Sequence, residues 1–324
     1  MAEIKDKKLR DLGERYILHE LIFPRLMADE INIDEDAVMI RINDKYLVIN
    51  IDTFVGSTDA PPSLSFNDIG YKTVIMAASD VVAKGAKPKI FLSSISLPPD
   101  TSVTQLKALL EGIREACERY GIKYIGGDLG ASNDVVITGA CCGLTNKVIL
   151  RRGARPGDLV WVTDEFGYTG VALHYLLRGG ERVKGIEEAL SRFKKPKLRI
   201  KEAEIIKNIA TSAMDSSDGL AITLDTIARM SKVRIILDEI PIAEIAVDYA
   251  KINNLEPSDL ALYAGEEFEI VFTTPGHVPP ETIMEAFKQN GLKEPILIGK
   301  VIEGEGVYYR HERIEVRGWE HFRG

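Results

Sequence analysis

Six aspartates stand where apolar runs begin or end, and this placement limits what the chain can fold into. Asp36 precedes Ala37-Val38-Met39, Asp52 follows Val48-Ile49-Asn50-Ile51, and Asp80 follows Val74-Ile75-Met76-Ala77-Ala78-Ser79. Asp128 follows Tyr124-Ile125-Gly126-Gly127, and Asp215 and Asp218 follow Thr211-Ser212-Ala213-Met214. Element ends are where a scaffold presents functional groups. Carboxylates that converge there repel one another unless cations neutralise them. Magnesium is the natural candidate, because it takes oxygen ligands and keeps waters and substrate phosphates. Taken singly, each acid is better explained as a turn former or a helix cap, and Asp218 could cap the helix after Gly219. The joint pattern is what favours a metal site.

Charge and composition narrow the function further. The formal net charge of −8 argues against a nucleic-acid partner, since phosphate backbones are bound by basic surfaces. An anionic small molecule remains compatible if divalent cations lie between it and the protein. No apolar run approaches the roughly 20 residues that cross a bilayer. The opening residues Met1 to Lys8 are charged and lack the apolar core of a secretory signal, so the cytoplasm and no membrane partner are expected. Cys117, Cys141 and Cys142 form no C-x-x-C pair and no zinc spacing, so buried reduced thiols are expected.

The length, 324 residues, suits two domains. Periodicity predicts a helix over 9–29, strands over 37–40 and 46–51, and a helix from Asn67, a possible cap, to Lys84. A strand over 89–97, a helix over 102–120 and strands over 122–125 and 135–144 follow. The basic, turn-rich stretch Arg151 to Asp158 places a domain junction near 146–156, giving domains of 1–148 and 149–324. Beyond it, strands are predicted over 159–163, 233–237, 270–272 and 296–301, with helices after Gly167-Tyr168-Thr169-Gly170 and over 221–230. Strands in groups without strict β-α-β alternation favour an α+β class.

The run Gly126-Gly127-Asp128 permits close approach of backbone N–H groups to phosphates, and a plain turn between strands explains it equally well. The chain has no P-loop and no protein-kinase catalytic set, so any phosphoryl transfer must use other parts.

Together these residues resemble the thiamine-monophosphate kinases, within the superfamily that includes aminoimidazole ribonucleotide synthetase. Ile33-Asp34-Glu35-Asp36-Ala37 is similar to the family's Gly-Asp-Asp-x-Ala, and Asn50-Ile51-Asp52-Thr53 to its Thr-Asp-Thr segment. Ser79 to Pro88 is similar to its Ser-Asp-x-x-Ala-x-Gly-Ala-x-Pro, followed by Gly126-Gly127-Asp128. Arg152 to Asp158, Asp215 to Leu220, Gly265 to Glu269 and Gly318 to Phe322 resemble its remaining markers, in order.

The resemblance implies a magnesium-dependent kinase that moves the γ-phosphate of ATP to thiamine monophosphate. It implies that Asp36, Asn50, Asp52, Asp80, Asp128, Asp215 and Asp218 bind magnesium, with Asp215 and Asp218 nearest the transferred group. Gly127, Asp128, Arg151 and Ser217 would lie against ATP, with Arg152 an alternative to Arg151. Glu266 and Trp319 would touch thiamine, and Asp59 occupies the place of the family's substrate-side His. Trp319 could instead be a C-terminal hydrophobic plug. The implied fold is two α+β domains, the N-terminal sheets of two subunits pairing into a barrel-like homodimer core and the C-terminal domain closing over the nucleotide. Two departures stand out: the first motif carries Asp34 where the family has glycine, and Gly56 to Ala60 replaces a Gly-x-His-Phe segment.

Overall fold

The computed structural model describes residues 7–61, 63–318 and 322. Trp319 lies outside the described residues.

Two sheets organise the chain. The first has the order β1-β2-β5-β3-β4, from β1 (Val38–Ile42), β2 (Lys45–Val55), β3 (Lys87–Leu97), β4 (Lys123–Ala131) and β5 (Val136–Thr145). All its pairs are antiparallel except β3 with β4. Before it, the predicted single helix over 9–29 is broken into a 3-10 turn at Leu9–Asp11, α1 (Glu14–Tyr16), a π-helical stretch Ile17–Ile22 and a 3-10 turn at Phe23–Arg25. Gly13 at φ 78° interrupts the first turn, and Pro24 lacks the N–H that would continue the last. A short α2 (Gly56–Asp59) follows β2.

Two long helices cover one face of this sheet, α3 (Phe66–Ala83) and α4 (Val103–Tyr120). The cap of α3 is Ser65 rather than Asn67. Its hydroxyl accepts from the Asp68 N–H, and the Asp68 carboxylate accepts from the Ser65 N–H at 3.1 Å. That reciprocal box satisfies two orphan donors. Ser102 and Gln105 do the same for α4, which ends at Gly121 with φ 67°. The helices cross where each carries a glycine: a Cβ on Gly112 would lie 1.9 Å from the Asn67 carbonyl oxygen, and one on Gly70 2.1 Å from that of Leu109. Beneath α3, Gly139 and Gly143 of β5 leave room for the helix, and its last turn brings Asp80 against Asn50 of β2.

The second sheet has the order β12-β11-β8-β10-β6-β9-β7. Its strands are β6 (Leu159–Val162), β7 (Ser212–Asp215), β8 (Arg234–Leu237), β9 (Ile270–Thr274), β10 (Ile296–Ile302), β11 (Gly306–Tyr309) and β12 (Glu312–Arg313). Its helices are α5 (Tyr168–Arg178), α6 (Ile186–Lys194), α7 (Ile200–Ile209), α8 (Leu220–Ser231), α9 (Glu244–Asn253), α10 (Pro257–Leu262) and α11 (Pro280–Gln289). Trp161, Phe272 and Phe287 pack with α7 and α11 on one side, while Leu224 and Ile227 of α8 pack with Val162 and Val271 on the other. Helices lie on both faces of this sheet and on one face only of the first, an α+β arrangement in two units.

The helix crossing gives the first prediction. Gly112→Ala should destabilise the protein by about 3 kcal/mol, because the added methyl meets backbone that cannot yield cheaply. Thermal denaturation reads this, and an unchanged melting temperature would contradict the packing described.

Candidate metal and phosphate site

Asp80 lies in the last turn of α3, Asp36 just before β1, and Asp215 at the end of β7. One carboxylate oxygen from each lies within 4.8 Å of the others. The group joins the two units, since Asp36 and Asp80 come from the first and Asp215 from the second. Ser79 donates to Asp215, and the Asn50 side-chain amide donates to Asp80. The other Asp215 oxygen, Oδ1, is buried and has no hydrogen-bond partner. An orphaned buried carboxylate oxygen beside two more carboxylates suits a hard divalent cation.

Electrostatics agree with that geometry. Burial, then the charges of Asp215, Asp36 and Asp52, push the Asp80 carboxyl well above its usual range. Burial and Asp36 raise Asp215. Burial also opposes the ionisation of Asp36, but Arg151 and Lys84 outweigh it and hold this carboxyl below the ordinary value. The Arg151 Nε donates to Asp36 at 2.5 Å, and Lys84 Nζ lies 2.6 Å from Asp36 Oδ2 and 2.9 Å from Glu35 Oε2. Arg151 is therefore half-buried against an acid. Glu35 and Lys84 fall inside the motifs quoted from the sequence but were given no role there, and Lys72 was not noted.

Asp52 and Asn50 lie on β2 at alternate positions facing α3, with Phe54 and Val48 buried beside them. The Asp52 carboxylate accepts from the Thr53 N–H at 2.7 Å. Register places Asp52, Gly139, Ser93 and Gly127 in one row across the sheet. The Gly126-Gly127-Asp128 run is not a turn: it is part of β4, an exposed edge strand twice as long as the sequence suggested. A Cβ on Gly127 would lie 1.7 Å from the Ser93 carbonyl oxygen, so this strand admits only glycine there. Asp128 pairs in register with exposed Ser94 and stands outside the three-carboxylate cluster.

Two interlocked loops build the second side. Ser216 N–H donates to Glu269 O at 2.8 Å, Phe268 N–H to Ser216 O at 2.9 Å and Glu266 N–H to Ser217 O at 2.6 Å. A Cβ on Gly265 would sit 2.4 Å from Ser217 O, and Glu266 adopts φ 66°. Ser217 and Glu266 are thereby fixed side by side. Glu267 Oε1 accepts from the N–H groups of Gly167 and Thr169 at the start of α5, a buried arrangement in which desolvation raises it to about 7. The Gly167 turn therefore holds a protein carboxylate as its anion. Glu266 is held from below by Lys72 Nζ at 2.7 Å, a fully buried lysine lying 3.8 Å over the Phe193 ring.

Asp218 opens onto a cleft of about 1010 Å³ that also involves Glu14, Tyr16, His19, Arg151 and Arg229. Burial, with Glu14 and Asp215, raises Asp218 to about 7. The Asp59 carboxylate turns back on its own loop, accepting from the Val55 N–H at 2.8 Å and the Thr58 hydroxyl at 2.8 Å. Cys117 and Cys141 are buried and Cys142 is half-buried, all three as free thiols.

Fold and site together define a two-unit protein of the AIR synthase related kind. The sequence matches "AIR synthase related protein, N-terminal domain" over residues 34–145 and "AIR synthase related protein, C-terminal domain" over 155–312. It is 38% identical over 296 residues to the thiamine-monophosphate kinase of Pyrococcus horikoshii, covering 90% of this chain and 91% of that protein. The enzyme of the same name from Aquifex aeolicus is 30% identical over 318 residues, covering 97% and 100%. The chain belongs to the thiamine-monophosphate kinase family of AIR synthase related proteins. The solved structure of AaThiL complexed with AMPPCP and TMP superposes with a TM-score of 0.88 at 28% identity, covering 98% of this chain and 99% of its own. A HypE–HypF complex, at 18% identity and TM-score 0.71, shares the fold.

The clustered acids predict an inverted pH dependence in chelator. Asp80, Asp215 and Asp218 have folded-state values raised above unfolded ones, so the folded protein binds more protons than the unfolded chain across that window. Stability present at low pH is lost as pH rises, for Asp218 between 3.8 and about 7. With EDTA present, the melting temperature should fall by roughly 5 °C from pH 5.5 to 8, and Asp80→Asn should flatten that slope. A melting temperature that rises over this interval would contradict the electrostatics.

Proposed function

We propose that the chain transfers the γ-phosphate of ATP to the phosphate of thiamine monophosphate, giving thiamine diphosphate and ADP. The observation that carries this reading is the buried cluster of Asp36, Asp80 and Asp215 with its orphaned oxygen, placed where the two units meet. Family membership supplies the reaction, and the AaThiL complex holds AMPPCP, an ATP analogue, together with TMP.

Asp36, Asp80 and Asp215 would hold magnesium, with Asn50 and Asp52 beside them and Asp218 at the cleft. Bound there, magnesium neutralises the charge of the transferring phosphoryl group. The acceptor oxygen forms a bond to the γ-phosphorus as the γ-phosphorus–bridging-oxygen bond breaks, and ADP departs. The acceptor phosphate is already ionised, so the chain needs no strong general base. Arg151, Ser217 and the Gly127 backbone would lie against ATP, and Asp128 on β4, apart from the three-carboxylate cluster, would hold a further metal ion. Glu266, oriented by Lys72, meets the thiazolium cation with a carboxylate, and Trp319 supplies an aromatic face. Asp59 completes the substrate side by shaping the turn after β2.

The reading assigns metal binding and dimerisation to residues 1–148 and closure over nucleotide to 149–324. A homodimer is supported by the uncovered face of the first sheet, where Val38, Ile40, Ile42, Ile51 and Leu92 are exposed, and by Leu129 on the open edge strand. So large an apolar face calls for a partner surface. A second copy would close the two sheets into a barrel. The cytoplasm, where ATP is abundant, is the compartment assigned.

Incubation with magnesium, ATP and thiamine monophosphate should yield thiamine diphosphate and ADP by chromatography, with unphosphorylated thiamine inert. Asp215→Ala should reduce the rate at least about a hundredfold. ATP turnover without thiamine diphosphate would sink the acceptor assignment. Ile51→Arg should convert the dimer to monomer in light scattering; a dimer that survives Ile51→Arg and Leu129→Arg together would place the interface elsewhere.

A further inference from the structure

Lys84, already seen against Asp36, is not among the metal, nucleotide or substrate residues named so far. It caps the C-terminal end of α3 at a position left open in the family pattern, between Ala83 and Gly85. Its side chain is fully buried. The ammonium contacts Glu35 at 2.9 Å and Asp36 at 2.6 Å, and donates to the Ala213 carbonyl of β7 at 3.2 Å. Glu35 is equally buried, and its carboxylate also accepts from the Arg151 backbone N–H. A lysine enclosed in this way survives only where carboxylates surround it.

The charges around the cluster can be counted. Glu35, Asp36, Asp80 and Asp215 are four carboxylates, and Lys84 and Arg151 are two cations in direct contact with them. Among these six groups two formal negative charges remain when all are ionised, before Asp52 nearby is added. Without Lys84 three would remain, and Glu35 would be buried against nothing but a backbone N–H.

We propose that Lys84 is a built-in counter-ion of the metal cluster, a positioning residue that balances Glu35, orients Asp36 and limits the cation charge the cluster demands. The proposal rests on reading Asp36, Asp80 and Asp215 as a divalent-cation site. It predicts an unusual sign: removing the lysine makes metal bind more tightly, because a repelling charge has gone and an unpaired carboxylate has been added.

The test is titration of chelator-stripped full-length protein with Mn2+, followed by electron paramagnetic resonance and calorimetry. Lys84→Met should bind Mn2+ about tenfold or more tightly than wild type, and its melting temperature should rise further on Mn2+ addition. Glu35→Gln should bind more weakly, and the double variant should return to within about threefold of wild type, as expected for a coupled pair. Equal or weaker Mn2+ binding by Lys84→Met would overturn the proposal and leave Lys84 a structural brace between α3 and β7. If Lys84→Met does not fold, Glu35→Gln and the double variant decide: weakened binding restored in the double variant supports the counter-ion, and unchanged binding in both overturns it. Wild type that binds no Mn2+ would overturn the metal reading and the counter-ion with it.

Discussion

Repulsion among Asp36, Asp80 and Asp215 is the constraint around which the two units are arranged. Burying three carboxylates within one another's reach is unfavourable in a low-dielectric interior. The structure offsets this locally, with Arg151 and Lys84 on Asp36, Asn50 on Asp80 and Ser79 on Asp215. The compensation is incomplete, since Asp215 Oδ1 has no partner. A cluster left short of positive charge in this way is what the proposed function would fill with a divalent cation carrying a phosphate.

Much of the remaining architecture serves that junction. Gly139 and Gly143 of β5, where a Cβ would lie 3.0 Å from the Thr73 carbonyl oxygen and 2.8 Å from Val81, let α3 lie close against the sheet, and Asp80 of α3 meets Asn50 of β2. The interlocked loops at Ser216–Ser217 and Gly265–Phe268 hold β7 and its Asp215 against β9. Lys72 reaches from α3 under Glu266, so one helix touches both the acid cluster and the proposed substrate side. Motion of one unit against the other would alter both sites together.

Parts of this were legible in the sequence because the physics is local. Aspartates closing apolar runs signalled element ends, and Asp36, Asp80 and Asp215 do meet there. The helix over 102–120 was readable from its period and its Ser102 cap. Other parts depend on tertiary contact. Gly126-Gly127 reads as a turn, yet the near contact of Gly127 with Ser93 keeps it in an edge strand. Arg151, Lys84 and Glu35 have the composition of solvated residues, yet tertiary contact around Asp36 fully buries the Lys84 and Glu35 side chains and half-buries Arg151. The 9–29 segment has helical spacing, but Gly13 and Pro24 break it into short turns. The apolar open face of the first sheet is visible only once register assigns Ile51 and Leu92 to the same side.

The most direct measurement is anomalous diffraction from crystals grown with Mn2+ and a non-hydrolysable ATP analogue. The account requires a metal peak within about 2.5 Å of carboxylate oxygens from Asp36, Asp80 and Asp215, with the analogue's phosphates on its far side. Nucleotide bound elsewhere, with no metal peak between these three carboxylates, would contradict it.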